Sequence, residues 1–75
     1  MLVTARYFAT LREARGRTHE PVELPAGCTA EQAFALLFPG LELRVAFAVD
    51  QATVRPDTVL TQGCEIAFLP PLGGG

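Results

Sequence analysis

The sequence predicts a two-layer α+β fold in which a small mixed sheet is covered on one face by one main helix. Three observations carry this prediction. Segments near both ends of the chain alternate apolar and polar residues, and one well-capped amphipathic helical pattern lies between them. Hydrophobic residues make up 49% of the 75 against 19% charged, the composition of a folded globule, since disordered chains are apolar-poor and strongly charged. The length admits one small domain. A chain of this size buries only about 60% of its extended-chain surface, so a deep enclosed active site is not expected.

Leu2–Phe8 alternates, with Val3, Ala5 and Tyr7 on one side and Leu2, Thr4, Arg6 and Phe8 on the other, which is the period-two signature of a strand. Thr10–Arg15 forms a short helical turn that Gly16 stops. Glu20–Leu24 is a second short strand, joined to the first as a hairpin with a long connection. The helix Ala30–Phe38 is the clearest element. Thr29 and Gln32 have the spacing of a capping box, in which the hydroxyl takes an orphan N–H and the glutamine reaches back to the cap. Ala33, Phe34, Leu37 and Phe38 then line one broad apolar face, and Pro39-Gly40 ends the helix.

Beyond the helix, Val45, Phe47 and Val49 alternate with Arg44, Ala46, Ala48 and Asp50 in a third strand. Arg55-Pro56-Asp57-Thr58 places proline at the second position of a type I turn. Gln62-Gly63 turns the chain into the final strand, Cys64–Leu69, with Ile66 and Phe68 on the core face. Helix and sheet each expose an apolar stripe that neither buries alone, so one must lie across the other. A parallel pairing of the first and last strands at the sheet centre satisfies the right-handed crossover rule. This is the β-grasp arrangement, although periodicity alone also permits another two-layer α+β fold. In these phases Phe8 and Leu69 share the sheet face that the helix leaves open, where they form either an apolar patch or simple edge packing.

Composition narrows the function classes. Six basic against eight acidic residues give a net charge of −2, whereas a nucleic-acid binder carries a basic surplus that displaces counterions from phosphates. All six basic residues are arginine, so the chain offers no lysine as acceptor of an isopeptide bond. Cys28 and Cys64 form no C-x-x-C, and with His19 as the one histidine they do not make up a zinc set. No metal and no bound cofactor are therefore expected. The longest apolar run, Ala33–Phe38, falls far short of the roughly 18 residues of a membrane span. Met1-Leu2-Val3 enters a strand pattern without a basic leader, which points to a cytoplasmic protein.

The chemistry is expected in the tail. The domain is read as residues 1–69, followed by an extended tail over 70–75 with the sequence Pro70-Pro71-Leu72-Gly73-Gly74-Gly75. The prolines lack the donor that a further strand residue needs and favour an extended path. Glycines carry no Cβ and can thread a channel too narrow for ordinary side chains. Such a tail presents the α-carboxylate of Gly75, anionic at neutral pH and able to attack the α-phosphate of ATP in a partner's site. The bland alternative is a frayed terminus without function.

At this point the sequence resembles a known family, the small ubiquitin-like sulfur-carrier subunit of molybdopterin synthase (MoaD). The resemblance covers nearly the whole chain. Tyr7-Phe8-Ala9-Thr10-Leu11-Arg12-Glu13 is similar to the family's aromatic-Phe-Ala-x-hydrophobic-Arg-Glu segment. Leu60-Thr61-Gln62-Gly63-Cys64-Glu65-Ile66 followed by Phe68-Leu69-Pro70-Pro71-Leu72-Gly73-Gly74-Gly75 is similar to its Leu-x-x-Gly-Asp-Glu-Val strand and Pro-Pro-hydrophobic-x-Gly-Gly ending. Cys64 stands where the family usually has Asp, and Asp50 where it often has Asn; both bear on local packing.

The resemblance implies a ubiquitin-like β-grasp fold and a reaction cycle. An E1-like adenylyltransferase would use ATP to adenylate Gly75, and a persulfide sulfur donor would replace AMP to leave a thiocarboxylate. The tail would then enter the large catalytic subunit of molybdopterin synthase, in a heterotetramer, and pass sulfur to cyclic pyranopterin monophosphate to build the dithiolene. Gly74 and Gly75 carry over as the functional positions, and the chain would not be catalytic alone. Phe8, Arg12, Leu69, Pro70, Pro71, Leu72 and Gly73 are the expected partner-binding residues. Sulfur carriers for thiamine synthesis or tRNA thiolation, and ubiquitin-like protein modifiers, are the alternatives.

Of the remaining residues, Arg12, Arg15, Arg17 and Glu13 read as a solvated turn, with a docking patch for an acidic partner as the alternative, strongest at Arg12. Cys28 and Cys64 read as packing residues, Cys64 with a persulfide relay as the minor alternative. His19 is expected in a loop before the second strand.

Overall fold

In the computed structural model, which describes residues 1–71, the elements in chain order are β1 (Leu2–Tyr7), α1 (Ala9–Arg15), β2 (His19–Glu23), α2 (Ala30–Leu37), β3 (Ala46–Val49), β4 (Ala52–Val54) and β5 (Glu65–Leu69). The strands form one mixed sheet in the order β2-β1-β5-β3-β4. β1 and β5 lie side by side and parallel at its centre, with Thr4 opposite Glu65 and Tyr7 opposite Phe68. All other pairings are antiparallel. This is the ubiquitin-like β-grasp arrangement that the sequence predicts.

The alternation of β1 and β5 holds residue by residue. Val3, Ala5, Tyr7, Ile66 and Phe68 are buried beneath α2, which contributes Ala30, Ala33 and Phe34 and is followed by the buried Phe38. Phe68 is fully buried in an aromatic cluster, with ring centroids 5.6 Å from Phe34, 5.9 Å from Phe47 and 6.3 Å from both Tyr7 and Phe38. Offset and edge-to-face rings at these separations add to the area they bury. At the N-terminus of α2 the capping box is present: Gln32 N donates to Thr29 Oγ1 at 3.3 Å, and Thr29 N donates to Gln32 Oε1 at 3.0 Å. The 55–60 segment meets the same helix end, where Ala30 N and Glu31 N donate to the carbonyls of Thr58 and Pro56.

Several boundaries differ from the sequence reading. Phe8 leaves β1 to become the N-cap of α1, which is a full helix of seven residues instead of a turn from Thr10. β2 starts at His19, so the histidine is the exposed first residue of a strand, opposite Arg6, and not part of a loop. β4 was not anticipated. It pairs with β3 through a tight turn in which Asp50 (φ 48°) and Gln51 (φ 72°) both adopt the left-handed conformation. That turn closes without the glycine that ordinarily announces it. Asp50 is held there because its N–H donates to Glu65 O and its Oδ1 accepts from Glu65 N, both at 2.9 Å. No helix among the described residues is long and apolar enough to cross a membrane.

Because Phe68 touches both the central strands' inner face and the helix, Phe68→Ala is expected to destabilise by about 3–5 kcal/mol, a large share of the stability of a small domain. Urea unfolding followed by circular dichroism measures it; a loss under about 1 kcal/mol contradicts the central role of this ring.

Candidate functional site

The face of the sheet turned away from α2 has a floor of small residues. Ala67 lies opposite Arg6 on β1 and Ala48 on β3, and both alanines are buried although no helix covers them. Taller side chains stand around them: Phe8 and Leu69 at one end, and the Arg6–Glu65 ion pair (3.3 Å) at the other. They enclose a shallow basin of about 390 Å³. Phe8 is 38% exposed and Leu69 half-buried. The two sequence-predicted residues therefore meet, with Pro70 and Ala9, around a second, more apolar hollow of about 280 Å³. A third, of about 390 Å³, lies beyond Leu69, where Pro70 and Pro71 face Arg44, Val45 and Ala46. Leu69 thus forms a wall of all three hollows at the point where β5 ends and the two prolines begin. Of the expected tail residues, Leu72, Gly73, Gly74 and Gly75 lie outside the described residues.

The corner that presents Phe8 is strained. Ala9 has φ 50°, in the left-handed region, which costs a residue with a Cβ about 1–2 kcal/mol. Phe8 offers no side-chain cap, and its carbonyl accepts from Leu11 N and Arg12 N instead. At the other end Gly16, φ 75°, closes α1 with its N–H on Arg12 O. Seven residues are too few for a helix to stand alone, so α1 is held by Leu11, its one buried residue, and by Arg15.

Arg15 belongs to a network that links four elements. Glu20 on β2 is a buried carboxylate, 9% exposed. Its Oε2 accepts from Tyr7 Oη at 2.6 Å and from Arg15 Nε at 2.9 Å, and pairs with Arg15 Nη2; its Oε1 accepts from Arg17 Nη1 at 3.2 Å. Arg15 Nη1 also donates to the carbonyl of Leu37, at the negative end of α2. The guanidinium lies 5.6 Å from the ring centre of Tyr7 and 5.9 Å from that of Phe38, within reach for cation–π attraction. The reading of the 12–17 stretch as a solvated turn is thereby overturned for Arg15, which is half-buried with its charge committed to Glu20, and holds for Arg17, which pairs with Glu20 from an exposed bend. Arg12 is exposed on α1 and makes no ion pair among the described residues. The sequence signal for this network was the alternation of β2, which puts Glu20 on the same side as Val22 and hence inside.

The electrostatics follow from these contacts. The Tyr7 hydroxyl, and after it Arg15 and Arg17, hold the Glu20 carboxyl below the ordinary carboxylate range against the opposing cost of burial. Burial first, and then the bond to Glu20, pushes the Tyr7 hydroxyl well above its usual range. Cys28 and Cys64 are free and buried, and burial pushes the Cys28 thiol up. Inert packing describes both better than a sulfur relay, since a reactive cysteine needs an accessible thiolate. Among the described residues no group of three His, Cys, Asp or Glu side chains could hold a metal ion.

A five-stranded mixed sheet with parallel central strands and one main helix across it defines a class, the ubiquitin-like β-grasp proteins. Comparison with known proteins places the chain within it. A model of the ThiS family matches residues 5–75. A molybdopterin synthase sulfur carrier subunit from Chlamydomonas reinhardtii is 35% identical over 83 residues, an alignment covering all of both chains. The chain belongs to the ThiS family, and the family resemblance read from the sequence is borne out. Solved structures share its fold. Small archaeal modifier protein 1 from Haloferax volcanii superposes with a TM-score of 0.77 at 19% identity over the whole of both chains. A complex of subunits 1 and 2 of the molybdopterin-converting factor from Helicobacter pylori contains a chain with a TM-score of 0.63 and 22% identity, also over the full lengths.

The network sets two pH limits on stability. The contribution of Glu20 is present above the ordinary carboxylate pKa, near 4.3, and is lost as the pH falls through its lowered folded value. The contribution of Tyr7 is present below pH about 10 and is lost as the pH rises towards its raised folded value. Tyr7→Phe is expected to cost about 1.5–3 kcal/mol at neutral pH, the worth of a hydrogen bond to a charged group, and to remove the alkaline loss. Thermal melts from pH 3 to 11 check both; an unchanged alkaline limb in Tyr7→Phe refutes the assignment.

Proposed function

We propose that the chain is the sulfur-carrying small subunit of molybdopterin synthase. The observation that carries the reading is the end-to-end match to a curated sulfur carrier subunit of that enzyme. The Gly73-Gly74-Gly75 ending and the apolar hollows at the root of the tail support it. In this reading the Gly75 carboxylate attacks the α-phosphate of ATP in an E1-like adenylyltransferase and pyrophosphate leaves. The outer sulfur of a persulfide donor then attacks the acyl carbon and AMP leaves; a second thiol of the donor cleaves the resulting acyl disulfide, releasing a thiocarboxylate and leaving a disulfide on the donor. The large subunit next receives the tail, and the sulfur passes to cyclic pyranopterin monophosphate. The chain supplies the reacting group and the docking surface, and its partners supply the catalytic side chains, all in the cytoplasm. It binds no cofactor itself, and ATP belongs to the activating enzyme.

Phe8, Leu69 and Pro70 form the apolar centre of the docking surface, and Arg12 and Arg44 its charged margin. Both partners need the same tail, so they use this surface in turn. The ThiS family match also favours a second reading, delivery of the same thiocarboxylate to thiamine synthesis. The two readings differ in the acceptor and share the loading chemistry.

Incubation with ATP, a sulfide source and the E1-like enzyme of the same organism is expected to replace one oxygen of Gly75 by sulfur, seen by intact-mass and fragment spectra. A plain carboxylate after incubation with a competent enzyme refutes the proposal, and deletion of Gly74-Gly75 is expected to abolish loading. Phe8→Asp is expected to raise the KM for the carrier about 10-fold or more, as for an aromatic anchor worth at least about 1.4 kcal/mol. Arg12→Ala is expected to slow association and flatten its salt dependence, the behaviour of a rim charge. Steady-state adenylation at two ionic strengths measures both.

A further inference from the structure

We infer that Glu20, on the far edge strand, is a positioning residue for the docking corner: through Tyr7 and Arg15 it fixes the pose of α1 and of Phe8. The inference rests on the docking surface proposed above, and its geometry is independent of that proposal. Tyr7 immediately precedes Phe8, and Arg15 is the last residue of α1. One carboxylate oxygen of Glu20 therefore ties down both ends of the strand-to-helix corner, at 2.6 Å through Tyr7 Oη and 2.9 Å through Arg15 Nε.

Tyr7 itself is also held by the sheet, through its pairing with Phe68 and its N–H on Thr18 O, whereas α1 beyond it has few restraints. The first turn of α1 has no side-chain cap and no acidic residue, and its entry residue Ala9 is in the left-handed conformation. A strained backbone persists only where its surroundings over-determine it. Leu11 anchors the helix to the core at one point, which leaves rotation about that point open. Arg15 fixes the rotation by bridging Glu20 on β2 and the Leu37 carbonyl at the end of α2. The charged and titratable groups around Glu20 are Tyr7 from β1, Arg15 from α1 and Arg17 from the α1–β2 connection. No buried side-chain polar atom among the described residues lacks a partner, so the network is complete as it stands. Glu20→Gln removes the charge that all three share and turns one acceptor oxygen into an NH2 donor set against them. Arg15 then turns to water, and α1 pivots about Leu11 and carries Phe8 away from Leu69 and Pro70.

The test is Glu20→Gln in the full chain, read in two ways. Amide exchange at residues 9–15 is expected to accelerate about 10-fold or more while that of β5 stays within twofold, as local opening differs from global unfolding. The KM of the carrier in ATP-dependent activation by its E1-like enzyme is expected to rise about fivefold with kcat unchanged, because pose and not chemistry is altered. In a Phe8→Ala background the same substitution is expected to change KM by less than twofold, since the two act through one contact. Unchanged exchange at residues 9–15 overturns the inference, and so does an undiminished KM effect in the Phe8→Ala background. If Phe8→Ala itself leaves KM unchanged, the docking surface is wrong; the exchange rates then decide alone whether Glu20 positions α1. Where Glu20→Gln does not fold, Arg15→Lys keeps the charge but removes the fork, and the same outcomes apply.

Discussion

The parallel pairing of β1 with β5 is the constraint on which the rest of this structure depends. It joins the two ends of the described chain, Thr4 to Glu65 and Tyr7 to Phe68, and everything between must cross over to allow it. With β1 and β5 in the middle, the antiparallel neighbours β2 and β3 can attach only at their outer edges. The same pairing divides the last strand by parity. Ile66 and Phe68 go into the aromatic core, and Ala67 and Leu69 go to the open face. The residue that completes the core and the residue that shapes the surface at the tail are therefore adjacent in sequence, and a register slip of one residue would exchange them.

The second organising element is polar. A buried carboxylate with one ion pair would be a doubtful gain, since desolvation offsets most of the attraction. Glu20 receives a phenol and two guanidinium groups, so both of its oxygens are satisfied. Their directional bonds fix the relation of a short helix to an edge strand, which nonpolar packing around Leu11 leaves open. A small core is thereby supplemented by a network that specifies orientation.

The legibility of the sequence followed the range of the interactions. β1, β5 and α2 could be read because their determinants are local: strict alternation in the strands, and Thr29, Gln32 and Pro39 around the helix. The open-face position of Phe8 and Leu69 followed from the same alternation. β4 escaped because its turn residues, Asp50 and Gln51, lack glycine, and the conformation is stabilised by Glu65, fifteen residues after Asp50. The state of Arg15 escaped for the same reason: an arginine in a charged stretch looks solvated until its partner on another strand is known. Alternation did place Glu20 on the inside, and a buried acid demands a partner, so the rule that would have found Arg15 was available. For the tail, sequence composition remains the source of the chemical argument, since Leu72–Gly75 lie beyond the described residues.

The end of β5 also acts as the origin of a ruler. Gly75 stands six residues after Leu69, and at about 3.5 Å per residue six residues can span about 20 Å at most. Under the proposed function, a partner that grips the Phe8–Leu69 hollow would keep its reacting atoms within that radius of its own grip. Two enzymes that take Gly75 from the same handhold would then share this spacing, however unlike they are otherwise. The separation of Leu69 from Gly75 would thus be a dimension imposed on the architecture of both partners.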